Sequence, residues 1–447
     1  MPFRVWNLWK SEPAQAGALA QEVDRLSGDR RVHRVFEWFS RNERAIAEFQ
    51  LTITAVPAPP FAEHARAAWL RNRLNDLALA TSIDSVGNLL ASRPGRQPEA
   101  AAIALSAHLD TVFPAATPLN VRREHSRLLG PGISDNGSGL SALWALASAF
   151  HATGIVTDLP LLFVGNVGEE GEGNLRGVRH LYREHLPPDI PDTMPAPDIA
   201  LLLVLDGAGT ESIITQALGS RRFEVAITGP GGHSWSDHGT PNPIVAASLA
   251  VSALFRLPLP VNPRTTLNVG SIEGGTSINT IPERAVFKVD LRSSDPRRLD
   301  ELEQQLRKAV ADACAETKSQ SAQLSATLSH RIELVGSRPA GELPATSHLL
   351  AAVRAVDAQL GIRSELLRAS TDANIPLSLG LEAVTLGAGG TGGGAHTVHE
   401  WYEPTGREQA LKRLTLLILL LSGLSPADGS SAVDVAPPAP ASQEEPL

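Results

Sequence analysis

Cysteine is almost absent: Cys314 is the single thiol in 447 residues. One cysteine excludes an internal disulfide framework and fits a reducing compartment. No run approaches the ~20 apolar residues that a membrane span requires. The start, MPFRVWNLWKSEPAQAGALA, has no continuous apolar core of signal-peptide type. A soluble, cytoplasmic protein with no membrane partner is therefore expected. Positive charge is also scarce, with a formal net charge of -9 and no basic stripe that could neutralise phosphates, which excludes nucleic acid as the main partner. Internal repeats are lacking as well. What is present is an ordinary globular composition, 43% hydrophobic and 19% charged, in a chain long enough for two separate cores.

The first part reads as helix, then as mixed α/β. Residues Ala62 to Ala80 carry apolar side chains at helical spacing with charges opposite. Apolar runs of strand length follow at Ile103–Ala107, Leu161–Val164, Ile199–Leu205 and Ala383–Leu386, with an amphipathic helix, GLSALWALASAF, between the first two. Alternating strands and helices predict a largely parallel sheet covered on both faces. From about Gly219 to Ile332 the order changes to β-α-β-β-α-β, that of a ferredoxin-like sandwich, and the α/β pattern then resumes. The expected organisation is a catalytic domain made of 1–218 and 333–424 with an inserted α+β domain at 219–332. The Ala-, Pro-, Ser- and acid-rich stretch 425–447 is expected to be a disordered tail.

Each apolar strand of the α/β part runs out into residues that bind metals. IALSAHLD supplies His108 and Asp110, LLFVGNVGEE supplies Glu169 and Glu170, ALLLVLD supplies Asp206, and the segment after Ala383–Leu386 supplies His396 and His399. Asp135 stands in GISDNGSG just before the long helix. Ligands of open α/β sheets bind beyond the carboxyl ends of the strands. Imidazoles and carboxylates gathered there suit zinc, with an oxygen-rich bias toward a two-metal site. Alone, Asp-Asn-Gly is a turn, Glu-Glu is a solvated pair, and GAGGTGGG lacks the Gly-Lys-Ser/Thr ending of a phosphate loop. Their co-occurrence at four strand ends is what carries weight. His151, His180 and His185 read as surface residues. Strand periodicity allows Asp110 to sit behind His108 and fix its tautomer. Of the adjacent glutamates, one can ligate while the other holds a proton beside an activated water.

HLDTV, SDNGSG, GEEGEGNLRG, VLDG, GPGGHS, SINTIPE, DLRSSD and HTVHEW stand in the order found in dizinc metallopeptidases. The chain resembles that family, which includes aminoacylase, acetylornithine deacetylase, carboxypeptidase G and peptidase T, over roughly residues 52–423. The resemblance implies two zinc ions, with manganese or cobalt as substitutes. His108 and Asp206 would bind one ion, Glu170 and His396 the other, and Asp135 would bridge them. It further implies Glu169 as general base, Asp110 as the partner behind a ligand, and a cis Asp135–Asn136 bond. His396 is preferred to His399 because the family pattern is His, three residues, then Glu. The insertion becomes a lid and dimerisation domain. There His233 would polarise the scissile carbonyl, Arg292 would hold a substrate carboxylate, and Asn279 would lie near the substrate. Asp206 and TTLNVGSIEGGTSINTIPE favour the peptidase T branch, with small peptides as substrates. The alternative is an N-acyl amino acid amidohydrolase. A non-catalytic relative would lack the base or a ligand, whereas every such position is filled here.

Overall fold

The computed structural model describes residues 14–183, 197–322 and 325–426. His185 and the tail from 427 onward lie outside the described residues. Ser425 belongs to the fold: it is buried, and its N–H donates to the Val156 carbonyl at 3.0 Å.

Two cores are present. The larger surrounds a mixed sheet whose order is Ala80–Ile83, Leu89–Arg93, Leu161–Asn166, Ala102–His108, Ile199–Leu205, Ala383–Leu386, Ser212–Ala217, Gly341–Glu342. Its four central strands, from Leu161–Asn166 to Ala383–Leu386, are parallel, and antiparallel pairs flank them. The centre is parallel because its strands are apolar on both faces: Leu161–Asn166 is buried at every position. Helices Arg30–Thr54, Gly137–Thr153, His348–Leu360 and Arg407–Ser422 contribute to this core. The helix expected over Ala62 to Ala80 is shorter, His64–Asn75. It ends in a turn with Ala78 at φ 55°, and Ala80 pairs with Ser92 as the start of an edge strand.

The second core belongs to a four-stranded antiparallel sheet, ordered Thr265–Gly274, Arg284–Ser293, Gly219–Thr228, Ser329–Arg338. Helices Pro243–Phe255 and Pro296–Ser319 pack on it, giving the ferredoxin-like arrangement. Phe223, Val225 and Ile227 alternate into this core from the third strand. The fourth strand runs past 332 to Arg338. A short ribbon, Gly232–His233 with Thr280–Ile281, projects from the sheet.

Candidate metal centre

His108 is the last residue of its strand, Asp206 follows Ile199–Leu205, Glu169 and Glu170 follow Leu161–Asn166, and His396 follows Ala383–Leu386. The parallel centre therefore brings all of them to one sheet edge. Asp135 arrives from the turn before helix Gly137–Thr153, where the Asp135–Asn136 bond is cis. Asn136 ties this turn down: its Oδ1 accepts from Gly139 N at 3.0 Å and its Nδ2 donates to the Leu205 carbonyl at 2.9 Å. Such a cap is worth about 1 kcal/mol. Gly139 is required here, because a Cβ would stand 2.4 Å from that same Leu205 oxygen.

Asp135 divides its two oxygens between two clusters. Oδ1 lies 3.0 Å from His108 Nε2, and Oδ2 lies 3.1 Å from His396 Nε2. On the first side Asp206 Oδ1 is 3.7 Å from His108 Nε2. On the second, Glu170 Oε1 is 3.0 Å from His396 Nε2. Ligand atoms of His108, Asp135 and Glu170 fall within 4.8 Å of one another. A carboxylate shared between two imidazole–carboxylate pairs offers nitrogen and oxygen donors of the kind that fit zinc. Charge agrees with this. Burial lowers the His108 pKa, but Asp135 and Asp206 push it well above the ordinary imidazole value. Asp135 and Glu170 raise His396 to about 10. Burial works against the charge on Asp135, yet His108 and His396 hold it below the usual carboxylate range.

Asp110 acts differently from the sequence expectation. The imidazole Nδ1 of His108 faces the Asp110 main-chain oxygen at 3.0 Å, with carboxylate Oδ1 farther away at 3.7 Å. The carboxylate instead accepts from Glu169 N at 3.0 Å and Glu170 N at 2.7 Å. The strand ends at His108, so the alternation that would place Asp110 behind the ring no longer applies. Asp110 anchors the backbone of both glutamates. Glu169 is 5% exposed, and burial pushes its carboxyl well above the ordinary range despite the neighbouring Arg338 guanidinium.

Sequence reading missed three supports. Glu400, quoted only as the end of HTVHE, accepts from the main-chain N–H groups of Gly132, Ser134 and Asp135 at 2.6, 2.8 and 2.7 Å. It thereby holds the Asp135 turn, and burial raises its carboxyl to about 7 against those three bonds. Asp372 is buried and accepts from Asn166 Nδ2 at 2.6 Å, with burial raising its pKa to about 7. Arg338 pairs with Glu169 at 2.8 Å. Only Glu400 had a local signal, its spacing from His396.

The lid residues stand apart. His233 and Asn279 are exposed neighbours, with Ser234 N donating to the Asn279 carbonyl at 3.0 Å. Arg292 pairs with Asp290 at 2.7 Å. Among the described residues no hydrogen bond or ion pair joins these three to the ligand cluster. His399 is exposed and takes no part, and His151 is exposed as expected. His180 is half-buried, with its Nε2 3.7 Å from Asp84, because its short helix packs against the Asp84 turn.

Comparison with known proteins gives local matches to peptidase models and a likeness in fold to solved peptidases and amidases. Residues 216–318 match the model of the peptidase dimerisation domain, and residues 88–228 match that of peptidase family M28. A probable carboxypeptidase of Ajellomyces capsulatus is 30% identical over 235 residues, covering 48% of this chain and 51% of that protein. The chain spans about half the length of the curated carboxypeptidases it matches. An uncharacterised protein of Bacillus subtilis, YqjE, is 22% identical over 85% of this chain and 98% of its own length. Among solved structures, aminopeptidase PepT of Bacillus cereus matches with a TM-score of 0.67 at 18% identity, covering 85% of this chain and 99% of that one. A hydantoinase/carbamoylase family amidase of Burkholderia ambifaria has a TM-score of 0.60 at 21% identity, covering 87% and 98%. The resemblance to metallopeptidases, and to peptidase T in fold, is borne out.

Proposed function

We propose that the chain is a dinuclear zinc peptidase that hydrolyses the peptide bond of small peptides, with Glu169 as general base. The observation that carries this reading is the Asp135 carboxylate, shared between His108 at 3.0 Å and His396 at 3.1 Å. His108 and Asp206 would hold one ion, Glu170 and His396 the other, and Asp135 both. Zinc in this position supplies Lewis-acid polarisation of the scissile carbonyl and lowers the pKa of the attacking water. Glu169 then accepts the proton of that water at its carboxylate and returns it to the leaving amine. Asp110 and Arg338 keep Glu169 in place, and Glu400 keeps the Asp135 turn in place.

The lid completes the site in this reading. His233 donates to the oxygen that becomes negatively charged, and Asn279 lies beside the substrate. We assign His233 to the active site of a partner copy, since among the described residues no hydrogen bond or ion pair joins it to the cluster of its own chain. A homodimer through the lid is supported by the edge strand Thr265–Gly274, where Ile272 is exposed, and by exposed Ile244 and Val245 on the adjoining helix. Among the described residues, no helix is long and apolar enough to cross a membrane. A cytoplasmic location is part of the proposal, supported by the single cysteine.

Arg292 would grip the free carboxylate of the substrate, where a guanidinium fork gives charge and orientation together. Dipeptides, tripeptides and N-acetyl amino acids, each as free acid and as amide, test the reading with added zinc, manganese or cobalt. Peptides are expected to outrun N-acetyl amino acids, and Arg292→Lys to raise KM for free acids while sparing amides. Equal losses on both forms would remove Arg292 from substrate binding. Preference for N-acetyl amino acids would move the enzyme to the amidohydrolase reading, which the fold likeness to an amidase also supports.

A further inference from the structure

The lid sheet delivers its last residue into the main domain. Arg338 ends the strand Ser329–Arg338, where it pairs with Ser220, and it is 7% exposed. Its Nη1 donates to Glu169 Oε1 at 2.8 Å and to Ser370 Oγ at 3.0 Å, while Nη2 donates to the Glu169 main-chain oxygen. Asp110 holds the N–H of the same residue at 3.0 Å. Glu169 is thus pinned at its amide, its carbonyl and one carboxylate oxygen. Its Oε2 takes part in no hydrogen bond among the described residues. The surroundings of Arg338 also belong to the lid root: Ser337 N donates to Asn174 Oδ1 at 2.9 Å, and Arg222 Nη1 donates to the Gly171 carbonyl at 3.0 Å. Both acceptors lie in the loop that follows the two glutamates.

We infer that Arg338 is the positioning residue of Glu169, fixing from the root of the lid which carboxylate oxygen faces the reacting water. The inference rests on Glu169 being the base. A guanidinium that grips the carboxylate and the backbone oxygen of one residue leaves that side chain a single orientation. It occupies Oε1 and leaves Oε2 to receive the proton. Lysine at this place keeps the charge but cannot span both oxygens with a planar fork. Because Arg338 is part of the lid sheet, the base is held correctly only while the root of the lid is seated on the 171–174 segment.

The test uses Arg338→Lys and Arg338→Gln, each alone and combined with Glu169→Gln, with kcat, KM and zinc content measured on every variant. Both single variants should keep their zinc and near-normal KM. Their kcat should fall by up to ~10²-fold, the cost of misplacing a catalytic group by about an ångström, and less for Lys than for Gln. In the Glu169→Gln background neither change should lower kcat further, because there is no base left to position. A loss of equal size in that background overturns the inference, since the arginine would then act independently of Glu169. So does a loss confined to KM, which would make Arg338 a substrate contact. Hydrogen exchange of the metal-free protein separates this from the function itself. Arg338→Gln should expose the amides of 168–176 even if no substrate is ever cleaved, and unchanged exchange there rejects the clamp.

Discussion

Glu169→Gln is expected to leave two metals bound while kcat falls by ~10²–10⁴, the usual worth of general-base assistance. The amide keeps the size of the side chain and can still meet Arg338, but it cannot accept the proton that the attacking water gives up. Its neighbour predicts the opposite pattern. Glu170 Oε1 stands 3.0 Å from His396 Nε2 at the second half of the centre, so Glu170→Ala removes a ligand and should lower metal content together with activity. Asp110 binds both backbone amides, so neither substitution should disturb the loop itself. Elemental analysis beside a peptide-cleavage assay reads the contrast. Two metals with near-normal turnover in Glu169→Gln would end its role as base. Loss of metal in that variant would instead reverse the two assignments.

Mixing two dead enzymes should make a live one. His233→Ala removes a donor to the developing oxyanion, a loss of ~10²–10³ in kcat. Glu169→Gln removes the base. If His233 serves the partner's centre, a dimer of one variant with the other contains one centre with Glu169 and His233 both intact. Co-expressing the two chains under different tags and purifying the mixed species should therefore restore turnover well above either parent. If His233 folded onto the centre of its own chain, every centre in the mixture would lack one group and turnover would stay at the parental level. The exposed ribbon that carries His233 pairs Gly232–His233 with Thr280–Ile281, as expected of an element that reaches outward.

The candidate ligand cluster was legible because strand ends are legible. An apolar run of four to seven residues that stops on His, Asp or Glu announces both the strand and the edge at which its last side chain sits. His108 and Asp206 are examples. The inserted domain was visible from the change of order between 219 and 332 and from the alternation of Phe223, Val225 and Ile227. Two readings departed from the structure, and one residue was missed, for physical reasons. The period of two was carried one step beyond the strand at His108, where Asp110 meets the ring with its main-chain oxygen at 3.0 Å and its carboxylate only at 3.7 Å. Helical spacing in Leu77–Ala80 is real, but Ala78 turns the chain at positive φ and sheet pairing takes over at Ala80. Arg338 has no local mark, since its partner Glu169 is 169 positions away and only the junction of the two sheets brings them together. Asp372 illustrates the same limit. A carboxylate that serves buried amides looks, in sequence, like any other acid.

Diffraction from crystals of the zinc-loaded protein at the zinc absorption edge addresses the central claim most directly. The account predicts two anomalous peaks per chain, one beside His108 and Asp206 and one beside Glu170 and His396, with Asp135 between them. One peak, or none at these residues under zinc that saturates activity, would contradict the dinuclear centre and the mechanism built on it.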